Sequence, residues 1–273
     1  SWARSSYSYF VMNLSIGAVS FLNSRPLTLK LSEYENYDLR YSVPSVCASE
    51  LMKGDVDVAL IPSIEYARSG KQLYIVPDLA IAAEGSVLTV RLFYKSDLKK
   101  IHRVAIDLSS RTSVALMRII LREKYEVDPE CVEASPSLDE MLKIADAALV
   151  IGDPVFSYLD ARISYLDLAD EWTRFTGLPF VFAFWAGWPG VIDQKDLQRF
   201  FYSSKIGQKS IFEIASAYSE SNGGDPKLYE KYMRQNIRYK LGKQEQKGLN
   251  LFYEKAFLNG IVEKVPELLF YGE

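Results

Sequence analysis

Short apolar runs alternate along this chain with stretches whose apolar positions recur at helical spacing. Residues 14–19 are apolar around Gly17, the pattern of a buried strand. The polar turn of Ser20, Asn23 and Ser24 follows. Ser24 is expected to cap a helix whose first turn holds Pro26, where a missing N–H costs nothing. Residues 39–43 predict a second strand. Residues 45–53 predict a helix, with Ser45 as cap and Gly54 as stop. Residues 56–61 predict a third strand, after which Pro62 opens a short helix through Tyr66. Strands are also expected at 73–76 and 87–94, the latter alternating apolar and polar over a length that suits passage from one lobe to another.

From Arg103 the strand–helix rhythm restarts. Strands are predicted at 104–107, 131–134, 147–151 and 163–168. Helices are predicted at 114–124 and 137–144, the second with Ser137 as cap and Glu140 at the capping-box position. The aromatic run 180–188 predicts a second crossing strand, its rings serving hinge and core. Helical periodicity marks 194–206, 208–219, 226–235 and 243–259, with a break at Asn222-Gly223-Gly224-Asp225-Pro226. Strand–helix alternation implies parallel sheets with helices on their faces. Two crossing strands imply two α/β lobes, residues 12–94 plus 186–273 and residues 95–185. That is the two-lobe, type II periplasmic-binding-protein-like fold, with an interlobe ligand cleft.

Composition narrows the classes. The apolar share of 48% and charged share of 25% are those of a globular protein, and a net charge of −3 without a basic tract argues against nucleic acid as partner. No run is long and apolar enough to span a membrane. Cys47 and Cys131 fit no metal or disulfide spacing and suggest a reducing compartment. His102 is the sole histidine. It precedes a strand and reads as structural, and a multi-histidine metal site is impossible. Residues 1–11 lack the apolar core of a signal peptide and are expected to be a leader, a cloning remnant or an over-long start before Met12.

Open α/β sheets bind ligands beyond the carboxyl ends of their strands, and a helix N-terminus there offers free N–H groups to an anion. The turn at Ser20 to Ser24 is one such place. The hydroxyl-rich stretch Ser109-Ser110-Arg111-Thr112-Ser113, which carries more hydroxyls than capping needs, is another.

Residues 17–27 (Gly-Ala-Val-Ser-Phe-Leu-Asn-Ser-Arg-Pro-Leu), 107–113 (Asp-Leu-Ser-Ser-Arg-Thr-Ser), 151–153 (Ile-Gly-Asp), 167–172 (Asp-Leu-Ala-Asp-Glu-Trp) and 176–185 (Thr-Gly-Leu-Pro-Phe-Val-Phe-Ala-Phe-Trp) together resemble the chorismate dehydratases of the futalosine route to menaquinone. The resemblance runs from about Met12 to the C-terminus. It implies a cytoplasmic enzyme that converts chorismate to 3-[(1-carboxyvinyl)oxy]benzoate and water, with no metal or organic cofactor and a small molecule as its partner. A sister family, the 1,4-dihydroxy-6-naphthoate synthases, shares the fold. A non-catalytic solute-binding protein for a small anion is the alternative from another class.

In that chemistry Asn23, Ser86 and Asp153 are the candidate catalytic residues. Ser20, Ser109, Ser110, Arg111, Thr112 and Gly152 are the candidate substrate-binding ones. Donors in the Ser109–Thr112 turn would hold the ring carboxylate, onto which charge spreads when the C3 proton leaves. Asn23 offers both a donor and an acceptor, and Ser86 sits in a glycine turn open to close approach. Asp153 is a base, a hydroxyl orienter or a cap before Pro154. Glu171, beside Trp172, has either a burial-raised pKa or a packing role. The scarcity of bases points to the substrate's own enolpyruvyl carboxylate as the group that removes the proton.

Overall fold

The computed structural model describes residues 13–273, so the expectations for residues 1–11 lie outside the described residues. The elements in chain order are β1 (Leu14–Val19), α1 (Arg25–Thr28), β2 (Tyr37–Ser42), α2 (Pro44–Lys53), β3 (Val58–Pro62), α3 (Ser63–Arg68), β4 (Tyr74–Ile75), β5 (Ile81–Ala83) and β6 (Val90–Tyr94). There follow β7 (Arg103–Ile106), α4 (Arg111–Tyr125), β8 (Glu130–Glu133), α5 (Leu138–Ile144), β9 (Ala147–Ile151), β10 (Ser164–Asp167), α6 (Leu168–Thr176) and β11 (Phe180–Gly187). Helices α7 (Gln194–Lys209), α8 (Ile211–Asn222), α9 (Pro226–Lys231) and α10 (Lys243–Leu258) complete the chain.

Two sheets form, one per lobe. The first runs β2-β1-β3-β11-β4, with β5 also paired to β11. Strands β2, β1 and β3 are parallel, and β11 is antiparallel to β3. The second runs β10-β6-β9-β7-β8, with β7 parallel to both its neighbours. The expected architecture, two α/β lobes with a cleft between them, is the one present. The crossings lie earlier than the expected borders at 94/95 and 185/186. Val90–Tyr94 pairs with Ala147–Ile151 inside the second sheet, and within Phe180–Gly187 the residues from Ala183 on pair with Val58–Pro62 inside the first. The chain therefore changes lobe at 84–89 and at 168–179. Each strand is buried by the sheet it joins, and the apolar faces rather than the run lengths decide membership.

The parallel strands read as continuous apolar runs because helices cover both faces; every residue of β3 is buried. Trp172, Phe180, Phe184, Trp185 and Phe252 are fully enclosed. They join β11, α6 and α10 into a core that reaches across both lobes. Helix α7 crosses α1 at Gly207, where a side chain would strike the Pro26 carbonyl. Three expected caps are absent: α2 begins at Pro44, one residue before Ser45, with Val43 at its cap position and no side-chain cap bond. Ser24 instead turns its hydroxyl back to the carbonyls of Val19 (2.5 Å) and Phe21 (2.8 Å), because the strand end leaves those acceptors free. Ser137 makes no side-chain cap bond, so the expected capping box with Glu140 does not form.

Asp167 ends β10 and holds the crossings together. Its carboxylate accepts from the Ser86 hydroxyl (2.8 Å), from Val87 and Leu88 N–H (3.2 and 2.9 Å) and from Asp170 N–H (3.1 Å). Leu88, in that grip, adopts φ +73°, a conformation that L-residues with bulky side chains rarely hold without support.

Candidate active site between the lobes

A cleft lies between the two sheets, some 600 Å³ of space that includes open solvent at its mouth and about 70 Å³ of cavity proper. The first lobe contributes Val19, Phe21 and Asn23 from the end of β1, and Phe182 from β11. The second lobe contributes the start of α4, together with Ile151 and Gly152 from the end of β9. Val87 and Thr89 form the wall at the hinge. Among the lining side chains only Arg111 is ionisable.

Helix α4 points its N-terminus into this space. The N–H groups of Arg111, Thr112 and Ser113 have no partner among the described residues; the first bond of the helix is Val114 N–H to Ser110 C=O, at 2.8 Å. A helix end carries about half a positive charge. Ser110, at the capping position, makes no cap bond. The residue is 1% exposed, and its hydroxyl has no partner among the described residues. A buried hydroxyl left unpaired costs about 1–3 kcal/mol, and this one sits at the end of a helix whose first N–H groups are also without partners among the described residues. Ser109 donates to the Asp107 carboxylate at 2.5 Å.

Thr112 and Arg111 bridge the lobes. Thr112 Oγ1 accepts from Ile64 N–H at 3.2 Å. The Arg111 guanidinium lies 3.3 Å from Glu65 Oε1, which Arg68 also approaches at 3.5 Å. Arg111 is thus an interlobe ion pair on the cleft rim.

Asn23 faces α4 across the cleft. Its carbonyl accepts from the Tyr239 hydroxyl at 2.6 Å, and its side chain faces the hydroxyl of Tyr232, which lies 2.7 Å from Thr89 Oγ1. Burial pushes the Tyr232 phenol well above its usual range, so it remains a neutral hydroxyl. Tyr232 opens a π-turn, Tyr232–Asn236, a feature that recurs at functional sites. Paired bonds between Ala82 and Arg238 pin this C-terminal segment to β5, at 2.9 and 2.7 Å. Local spacing gave no sign of Tyr232 or Tyr239, which do not line the cleft and reach Asn23 only through the long return of the chain.

Gly152 lies against Phe21 with φ +71°. Asp153, beside it, accepts from Leu22 N–H at 3.0 and 3.2 Å and is not among the lining residues. Burial raises its pKa, opposed by the Leu22 N–H, the Tyr218 hydroxyl and the charge of Arg25. Three candidates fall elsewhere. Ser20, just past the end of β1, is exposed and lines a surface depression with Arg25 and Tyr41. Ser86 is committed to Asp167 and belongs to the hinge. Glu171 is held by Lys124 and by the Tyr125 hydroxyl (2.8 Å). His102 is exposed at the start of β7, its N–H on Asp146.

The fold is that of solved binding proteins. A protein of Archaeoglobus fulgidus superposes with a TM-score of 0.73 at 16% identity, covering 92% of this chain and 98% of that one. The alkanesulfonate-binding protein of Xanthomonas axonopodis pv. citri superposes at 0.67 with 14% identity, over 93% and 94%. Sequence relatives lie closer. A chorismate dehydratase of Thermus thermophilus is 31% identical over 255 residues, 88% of this chain and 93% of the relative. One of Campylobacter jejuni is 28% identical over 244 residues, 86% and 94%. The family model described as menaquinone biosynthesis matches residues 14–257, from β1 through all but the last residue of α10. A match that takes in both sheets and every wall of the cleft leaves one assignment: the chain belongs to the menaquinone biosynthesis family.

Proposed function

We propose that this protein is a chorismate dehydratase, a hydro-lyase that converts chorismate to 3-[(1-carboxyvinyl)oxy]benzoate and water. The observation that carries the proposal is the 31% identity, over 88% of the chain, to an enzyme named for that reaction. The cleft supports it. Chorismate needs an anion site for its ring carboxylate, and the N-terminus of α4 with the unpartnered Ser110 hydroxyl supplies one. Removing the C3 proton sends charge through the ring double bond onto that carboxylate. A donor placed where charge develops is typically worth about 3–4 kcal/mol.

The base is the substrate's enolpyruvyl carboxylate. Arg111 is the one ionisable side chain among the lining residues and cannot accept a proton. Intramolecular placement supplies a large effective molarity. The carboxylate takes the C3 proton, the electron pair enters the ring, and the C4–O bond breaks. The leaving hydroxide recovers the proton from the carboxylic acid and departs as water, and the ring becomes aromatic. Asn23 orients the C4 hydroxyl and the enolpyruvyl carboxylate from the facing wall, while Phe21 and Phe182 keep water out. We place the enzyme in the cytoplasm, where its two unpaired thiols are at home. Among the described residues no helix is long and apolar enough to cross a membrane.

The test is purified protein mixed with chorismate, with products followed by chromatography and mass. Loss of water to an enolpyruvyl benzoate is expected. Tight binding without turnover overturns the proposal in favour of a small-anion binding protein. Neither binding nor turnover overturns it in favour of the sister synthase.

A further inference from the structure

We propose that Asp153 is a positioning residue: its carboxylate, carried by the second lobe, docks on the Leu22 N–H of the first and thereby sets the Asn23 side chain over the cleft. The role of Asn23 in this inference rests on the dehydratase reading. Both Asp153 oxygens lie within reach of the same donor, at 3.0 and 3.2 Å, across 131 residues of sequence. The carboxylate does not line the cleft, so it reaches the ligand only through what it holds.

What it holds is the peptide next to Asn23. Leu22 opens the 3-10 turn Leu22–Ser24 and is itself fully buried. The rest of that turn is fastened from its own lobe. The Ser24 hydroxyl bonds the Val19 carbonyl, and the Tyr239 hydroxyl bonds the Asn23 carbonyl. The amide before Asn23 has its anchor on the opposite lobe alone. Opening the lobes releases that anchor and leaves the others in place. Closure therefore completes the fixing of Asn23 at the moment the ligand is enclosed.

The surroundings suit a lasting contact. Gly152 lies against the Phe21 ring, so two neighbouring residues of one lobe meet two neighbouring residues of the other. Tyr218 and Arg25 offer the carboxylate a hydroxyl and a positive charge. A bond to a charged acceptor in partly buried surroundings is among the stronger kinds.

The test compares wild type with Asp153→Ala and Asp153→Asn. Alanine removes the acceptor; asparagine keeps an oxygen for the Leu22 N–H and drops the charge. With chorismate, Asp153→Ala is expected to lower kcat about 10–100-fold, the range of one lost bond to a charged group, with a smaller change in KM because the α4 site is untouched. Asp153→Asn is expected to recover kcat to within about threefold of wild type. An asparagine variant as slow as the alanine one overturns the proposal, since a proton carrier behaves that way. So does an alanine variant with unchanged kcat in its folded fraction. Asp153→Ser, too short to reach, replaces the alanine variant if that one does not fold. Hydrogen exchange at the Leu22 amide reads the same contact without turnover. Protection is expected to fall in Asp153→Ala and hold in Asp153→Asn; equal protection in all three overturns the proposal. Wild type that does not dehydrate chorismate overturns the dehydratase reading alone, and exchange at Leu22 then decides the contact.

Discussion

The Phe21 ring sits so close over Gly152 that a Cβ built on the glycine would lie 2.7 Å from it. The backbone of Gly152, at φ +71° and ψ −152°, is also one that essentially only glycine adopts. Gly152→Ala is therefore expected to cost about 1–3 kcal/mol of stability from backbone strain alone. The displaced ring should also keep the lobes apart and lower kcat/KM by about tenfold or more, the equivalent of some 1.4 kcal/mol. Urea denaturation and steady-state kinetics read the two effects separately.

Ser110 predicts opposite signs for stability and function. Its hydroxyl is buried without a partner among the described residues. Ser110→Ala is expected to leave the melting temperature unchanged or higher, because an unsatisfied group worth about 1–3 kcal/mol is removed. The same variant should lose about tenfold or more in kcat/KM for chorismate, through the missing donor to the ring carboxylate. Calorimetric melting and initial rates check both.

Asn23→Ala is expected to lower kcat by about 10²–10³-fold, the usual effect of removing one preorganised donor. Asn23→Asp should be no better, since it sets a carboxylate against the carboxylates of the substrate. Because the Asn23 carbonyl is held by Tyr239 through the backbone, the fold should survive both changes, as circular dichroism would register.

Asp153 also gives a pH dependence with a definite sign. Burial raises its pKa above the ordinary carboxylate value of 3.8. The folded state thus favours the protonated form. The stability contributed by Asp153 is fully present below pH 3.8 and is lost as pH rises through the raised value. Asp153→Asn carries no such penalty. Its melting temperature relative to wild type is expected to be more favourable at neutral pH than near pH 4, measured by calorimetry across that range.

Both lobes and most strands were legible because burial on two faces writes apolar runs into β1, β3 and β9. The α4 turn stood out too, since four hydroxyls around a helix start exceed what a cap requires. Tyr232 and Tyr239 did not. They come from a segment far along the chain and look like ordinary core tyrosines, and the Ala82–Arg238 and Asp78–Leu241 pairings bring that segment to Asn23. The bond from Ser86 to Asp167 was not legible, because a serine beside a glycine looks the same whether it faces a ligand or a buried aspartate. The chain's change of lobe at 84–89 was blurred for a related reason: the alternation at Val87 to Tyr94 continues straight through the crossing.

Asp167 binds residues 86–88 to the start of α6, and so ties the outgoing and returning crossings to each other. Two separate tethers would let one lobe slide, tilt and twist against the other. A tied pair leaves little beyond a swing about one axis. The far rims of the cleft then meet in the same register at every closing, which is what contacts as narrow as Phe21 on Gly152 require. Loosening Asp167 would cost alignment before it cost stability, as a worn pin lets a door shut against its frame without ever coming off.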